Sequence, residues 1–170
     1  TLAYKKFGKT FPNPSVGCLI VKNNKIISKS VTASAGRPHA EEIALKKASG
    51  NLKGASMYVT LEPCNHQSLN GSCTDQIIKS GIKKIFIAKV DPDPRTNNKS
   101  ISKFKEKNIR TNVGITEEKT NTLNKFFFES IKNSRPFVKV KMAVSNDEKI
   151  AWSDYSSRWI SNTKSREYSH

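Results

Sequence analysis

Apolar positions fall into short runs separated by turn-forming residues. Val16-Gly17-Cys18-Leu19-Ile20-Val21, then Asn23-Asn24, then Lys25-Ile26-Ile27-Ser28 reads as apolar strand, turn and apolar strand, which predicts a β-hairpin. Before it, Leu2 to Phe7 is helix-like and stops at Gly8. Phe11-Pro12-Asn13-Pro14 is a loop, because Pro fixes its own φ and pushes its predecessor towards extended geometry. From His39 to Ala48 the positions Ala40, Ile43, Ala44 and Ala48 share one helical face, and Gly50 closes the run. Met57 to Leu61 is a β-branched and aromatic strand stopped by Pro63. A polar loop from Asn65 to Ser72 leads to a helical pattern, Thr74 to Ser80. Strand Lys84 to Val90, helix Ser100 to Lys107 and strand Arg110 to Val113 follow. Glu117 to Lys132 predicts one continuous helix, with Leu123, Phe127 and Ile131 at spacing four, and Phe137 to Ala143 alternates as a strand. This order of elements predicts an α/β fold, a sheet covered by helices on both faces. The residues after it are too few to close another domain.

Composition narrows the function classes. The chain has 170 residues and a formal charge of +16, with 24 Lys and 6 Arg spread over almost every segment. A nucleic-acid module would cluster them on one face with aromatics between, so the expectation is a solvated basic surface whose field attracts an anionic substrate such as a phosphate ester. No apolar run approaches the ~20 residues of a membrane span, and no segment has the make-up of a secretory signal. A cytoplasmic protein with no membrane partner is expected. Three cysteines are too few and too uneven for a disulfide framework, which points to metal or thiol chemistry.

Three pieces carry that chemistry: His39-Ala40-Glu41 opening a helix, Pro63-Cys64 directly after a strand, and Cys73 at the start of another helix. One imidazole and two thiolates suit Zn²⁺ in a site that leaves its fourth position open. Helix N-termini favour the thiolate form. Glu41 leaves the helix on a different side from His39 and is free to move protons. His-x-Glu followed by Pro-Cys-x-x-Cys is the pattern of zinc deaminases, although eight residues, not two, separate Cys64 from Cys73. Taken singly, each feature has a duller reading as a packed thiol, a satisfied histidine or a dipole-complementing acid; their joint order favours the metal. Cys18, mid-strand, reads as core. His66 is a rival ligand, a substrate contact or an exposed residue.

Pro12-Asn13-Pro14-Ser15-Val16-Gly17-Cys18, Pro38-His39-Ala40-Glu41, Tyr58-Val59-Thr60-Leu61-Glu62-Pro63-Cys64-Asn65-His66, the gap to Cys73 and Asp91-Pro92-Asp93-Pro94 resemble the deaminase domain of bacterial bifunctional riboflavin-biosynthesis proteins. The resemblance implies a cytidine-deaminase-like three-layer α/β/α sandwich with a mixed central sheet, a deaminase domain over 1–132 and the incomplete start of a reductase domain over 133–170. It implies Zn²⁺ on His39, Cys64 and Cys73, Glu41 as proton donor, and Asn13, His66, Asp91 and Asp93 near a small phosphorylated aminopyrimidine. Ala143, Ser157 and Trp159 match reductase positions for NADPH or substrate, and NADPH is expected only of a complete reductase domain. Three segments depart from the family: Ser68-Leu69-Asn70-Gly71-Ser72 lacks the usual basic residue, Val31-Thr32 replaces Tyr-His, and Thr96 to Ser100 is not glycine-rich. Arg95, Lys99 or Arg37 are the candidate compensating cations. Competing expectations are a deaminase-fold protein acting on nucleic acid and an inactive zinc-binding remnant. A homo-oligomer is expected only by analogy of fold.

Overall fold

The hairpin forms from β1 (Gly17–Lys22) and β2 (Lys25–Val31) in a computed structural model that describes residues 2–66 and 71–169. Asn23 and Asn24 both take positive φ, 50° and 59°, a conformation Asn tolerates and the twist of a two-residue hairpin turn requires. β3 (Ser56–Val59) pairs antiparallel with β1, while β4 (Lys84–Ile87) and β5 (Arg110–Val113) add in parallel. The sheet is therefore mixed, in the order β2-β1-β3-β4-β5.

Period-two alternation sends Cys18 and Ile20, Met57 and Val59, and Ile85 and Ile87 to one buried face. Helices α1 (Ala40–Lys47), α2 (Cys73–Ser80) and α3 (Lys99–Glu106) cover it, through Ala40, Ala44, Ile77, Ile101 and Phe104. Strand β2 inverts the expectation of an apolar strand. Its isoleucines, Ile26 and Ile27, are exposed, and its buried positions are Ser28 and Ser30. Their hydroxyls donate to the carbonyls of Ala44 at 2.8 Å and Ala40 at 2.6 Å. Small polar residues thus seat α1 close to the sheet with both buried hydroxyls paired. On the other face Tyr58 and Phe86 stack, with centroids 4.5 Å apart.

The continuous helix expected over 117–132 is two, α4 (Glu117–Leu123) and α5 (Lys125–Asn133), broken at Asn124. Asn124 is buried, and its side chain accepts from the Ser15 amide at 3.1 Å and donates to the Ser15 carbonyl at 3.2 Å. The strand expected over Phe137–Ala143 is absent: the segment has no assigned structure, and Val138, Val140 and Met142 are exposed. A strand persists only where a neighbour pairs its backbone groups.

The chain divides into two compact units, Thr1–Phe137 and Val138–His170. The first contains the sheet and the core. The second is built of tight turns, such as that closed by the Ser145 amide on the Lys149 carbonyl, and of α6 (Thr163–Ser169), where the Arg166 guanidinium lies 4.0 Å from the Trp159 ring centroid. Among the described residues no helix is long and apolar enough to cross a membrane.

Candidate metal centre and active-site cleft

Chain order along the sheet brings the motifs together. The segments leaving the C-terminal ends of β3 and β4 carry Cys64 and Asp91, and α1 and α2 begin beside them. His39 caps α1 with extended φ and ψ, and its amide donates to Glu42 Oε2 at 2.8 Å. Cys73 opens α2, capped by Ser72, whose hydroxyl accepts from the Asp75 amide. The first turn of α2 also grips Cys64: the Cys73 amide donates to Cys64 Sγ at 3.4 Å, and Thr74 donates through both its amide and its hydroxyl to the Cys64 carbonyl.

These constraints converge His39, Cys64 and Cys73 so that one ligand atom from each lies within 4.8 Å of the others. His39 Nδ1 faces Cys73 Sγ at 3.4 Å, leaving Nε2 towards Asn13, 3.4 Å from its Nδ2. One imidazole nitrogen and two sulfurs are the donor set of an open tetrahedral site, and these residues fit a zinc ion. The hydrogen bond with the Cys73 side chain, helped by those from His39 and the Cys73 amide, holds the Cys64 thiol far below its ordinary value, at about 4, whereas Cys73 is pushed up by the same shared proton and by burial. For His39, burial lowers the pKa, but the Cys64 contact and Glu41 outweigh it and the net shift is upwards.

Glu41 is fully buried beside the cluster, and burial raises its pKa to about 7. A carboxyl poised there exchanges protons readily at neutral pH. Both it and His39 line a cleft of about 510 Å³ together with Asn13, His66, Asp91 and Asp93. All four residues expected near the substrate thus share one cavity with His39, Cys64 and Glu41. Nδ1 of His66 is buried without a hydrogen-bond partner. Asp93 is gripped by Arg95, which holds its pKa down, while burial lifts Asp91 to about 6. Thr32 lines the same cleft and accepts from the Val16 amide at 3.0 Å. Lys99 is exposed and lies outside the cleft wall; Arg37 and Arg95 are part of it. Of the altered loop, Ser68, Leu69 and Asn70 lie outside the described residues.

Ala143, Ser157 and Trp159 are exposed in the second unit. Trp159 lines a hollow there with Ser145, Asp147 and Trp152, and Ala143 and Ser157 do not.

Sequence reasoning missed three supporting residues. Buried Glu62 accepts from the Asp91 and Asn98 amides and from the Ser100 hydroxyl at 2.5 Å, joining the ends of β3 and β4 to α3. Its place before Pro63-Cys64 was the available signal. Gly36 has φ of 82°, its carbonyl accepts from Asn13 Nδ2 at 2.9 Å, and a Cβ there would stand 2.8 Å from that nitrogen. Only glycine permits this approach. Asn124 carried no signal, since helical periodicity runs through it.

Residues 1–89 match the family model described as the cytidine and deoxycytidylate deaminase zinc-binding region. The riboflavin biosynthesis protein RibD of Aquifex aeolicus is 43% identical over 100% of this chain and 48% of its own length. RibD of Synechocystis sp. is 42% identical over 100% of this chain and 46% of its own length. The crystal structure of the Thermotoga maritima diaminohydroxyphosphoribosylaminopyrimidine deaminase/5-amino-6-(5-phosphoribosylamino)uracil reductase is 39% identical with a TM-score of 0.86, over 98% of this chain and 48% of that one. The chain thus spans about half the length of the curated relatives it matches.

Proposed function

The chain belongs to the cytidine and deoxycytidylate deaminase zinc-binding family and has a cytidine-deaminase-like α/β fold; on that premise we propose that it catalyses the hydrolytic deamination of 2,5-diamino-6-(5-phospho-ribosylamino)pyrimidin-4-one, a step of riboflavin biosynthesis. The observation that carries the proposal is the convergence of His39, Cys64 and Cys73 on one point, with His39, Cys64 and a buried carboxyl, Glu41, whose pKa lies near 7, lining one cleft.

Zinc is the proposed cofactor, held by His39, Cys64 and Cys73, and it supplies Lewis acidity that makes a water nucleophilic at neutral pH. Glu41 takes a proton from the attacking water and delivers it to the ring nitrogen, then takes the remaining hydroxyl proton and passes it to the departing amine. The C–O bond forms, the exocyclic C–N bond breaks, and ammonia leaves. Asn13 offers the pyrimidine edge both a donor and an acceptor. Its loop is held by Gly36, so its position is set before substrate arrives. His66, Asp91 and Asp93 complete the proposed substrate wall. Residues 133–170 are proposed as the start of a reductase domain, with Ala143, Ser157 and Trp159 at its nucleotide or substrate positions and NADPH the cofactor of the complete domain.

Glu41→Gln is the test. It keeps size and burial while removing the proton carrier, so zinc content stays at wild-type level and ammonia release from the pyrimidine falls by ~10²- to 10⁴-fold. Unchanged turnover, or ammonia released from single-stranded nucleic acid and not from the pyrimidine, overturns the proposal.

A further inference from the structure

A phosphorylated aminopyrimidine brings a dianionic group to the cleft, and the wall offers two guanidinium groups to meet it, Arg37 and Arg95. Arg95 is already paired. Its Nε lies 3.0 Å from both oxygens of Asp93, and its Nη2 lies 2.6 Å from Oδ2, the two-pronged geometry in which carboxylate and guanidinium satisfy each other. Arg37 is not in that state. Its nearest acid is Glu42, 4.0 Å away, and the oxygen concerned already accepts the His39 amide at 2.8 Å. The Arg37 side chain is 44% exposed, so its donors are open to an incoming ligand.

Position agrees with charge. Arg37 has extended φ and ψ, −141° and 149°, and stands two residues before His39, at most about 7 Å away between Cα atoms. That is the order of distance a ribosyl group spans between an aminopyrimidine nitrogen and a 5-phosphate. Of the other cleft acids, Glu62 accepts from two amides and a hydroxyl, Asp91 from the Asp93 amide, and Asp93 pairs with Arg95. The less tightly engaged guanidinium of the wall is therefore that of Arg37.

We propose that Arg37 binds the 5-phosphate of the substrate and so selects the phosphorylated aminopyrimidine over its dephosphorylated counterpart. The proposal rests on the deaminase reading above and deepens it. A guanidinium forks onto two phosphate oxygens, which an ammonium cannot reproduce.

Ammonia-release kinetics on the phosphorylated compound and on its dephosphorylated counterpart, for wild type, Arg37→Ala and Arg37→Lys, test this. Charge-assisted hydrogen bonds imply a KM for the phosphorylated substrate raised ~10- to 100-fold in Arg37→Ala. The kcat stays unchanged, the KM for the dephosphorylated compound does not move, and Arg37→Lys recovers part of the loss. An equal KM change on both compounds, or none, overturns the assignment. Zinc content at the wild-type level confirms that the variants are folded. Wild-type protein that releases ammonia from neither compound defeats the deaminase reading instead. Calorimetric titration with ribose 5-phosphate then decides Arg37 alone: binding that weakens at least ~10-fold in Arg37→Ala supports it, and equal or absent binding in wild type and variant overturns it.

Discussion

At the scale of single residues, the cleft separates its carboxyls by environment. Glu41 and Asp91 are buried and hold their protons up to about pH 7 and about pH 6, while Asp93, paired with Arg95, stays ionised. Asp91 makes a stability prediction. Its folded pKa, about 6, exceeds its ordinary 3.8, so the folded state binds the proton more tightly. Below pH ~4 both states are protonated and this contribution is fully present. As pH rises from ~4 to ~6 the unfolded chain ionises first, and above ~6 about 3 kcal/mol has been lost. Asp91→Asn keeps an oxygen to accept the Asp93 amide, which Asp91 Oδ1 now accepts at 2.9 Å, and removes the titration. In urea denaturation it should exceed wild type by about 3 kcal/mol at pH 8 and lose that advantage at pH 4; a constant difference across this range would remove Asp91 as the cause.

At the scale of elements, the loop bearing Asn13 depends on a helix break 109 residues further along the chain. Asn124 interrupts what its neighbours would make one helix, and bonds both backbone groups of Ser15. Asn124→Ala leaves a buried amide and a buried carbonyl unpaired, a loss of about 2 to 4 kcal/mol. Thermal unfolding should register that loss, with KM for the substrate rising as the Pro12–Ser15 loop loosens; unchanged Tm and KM would show that the loop is held elsewhere. The hairpin was legible from Asn23-Asn24 because its cause is local. The break at Asn124 was not, because Leu123, Phe127 and Ile131 keep helical spacing across it and the partner is distant in sequence.

At the scale of the whole molecule, three candidate ligands from the starts of α1 and α2 and from the segment after β3 meet at one point, so a metal bound there would stabilise the fold that assembles them. Zinc at a hundredfold excess over its Kd adds about 3 kcal/mol, equivalent to about 5 to 10 °C in Tm for a chain of this size. Chelation should remove that increment and zinc restore it; a Tm indifferent to both would leave the cluster without a metal. Local rules, which act over a few residues, were enough to read from the sequence alone the β5 boundaries, the hairpin and the His39, Glu41, Cys64 and Cys73 motif. They overstated the strand at Phe137–Ala143, because alternation shows that a segment can pair and not that a partner exists. Only the tertiary structure decided that Ser28 and Ser30, rather than Ile26 and Ile27, face α1, that Arg95 is paired while Arg37 is open, and that Glu62, Gly36 and Asn124 hold the cleft. Each depends on which distant groups share a buried volume, a property of the packed chain that no short window of residues contains.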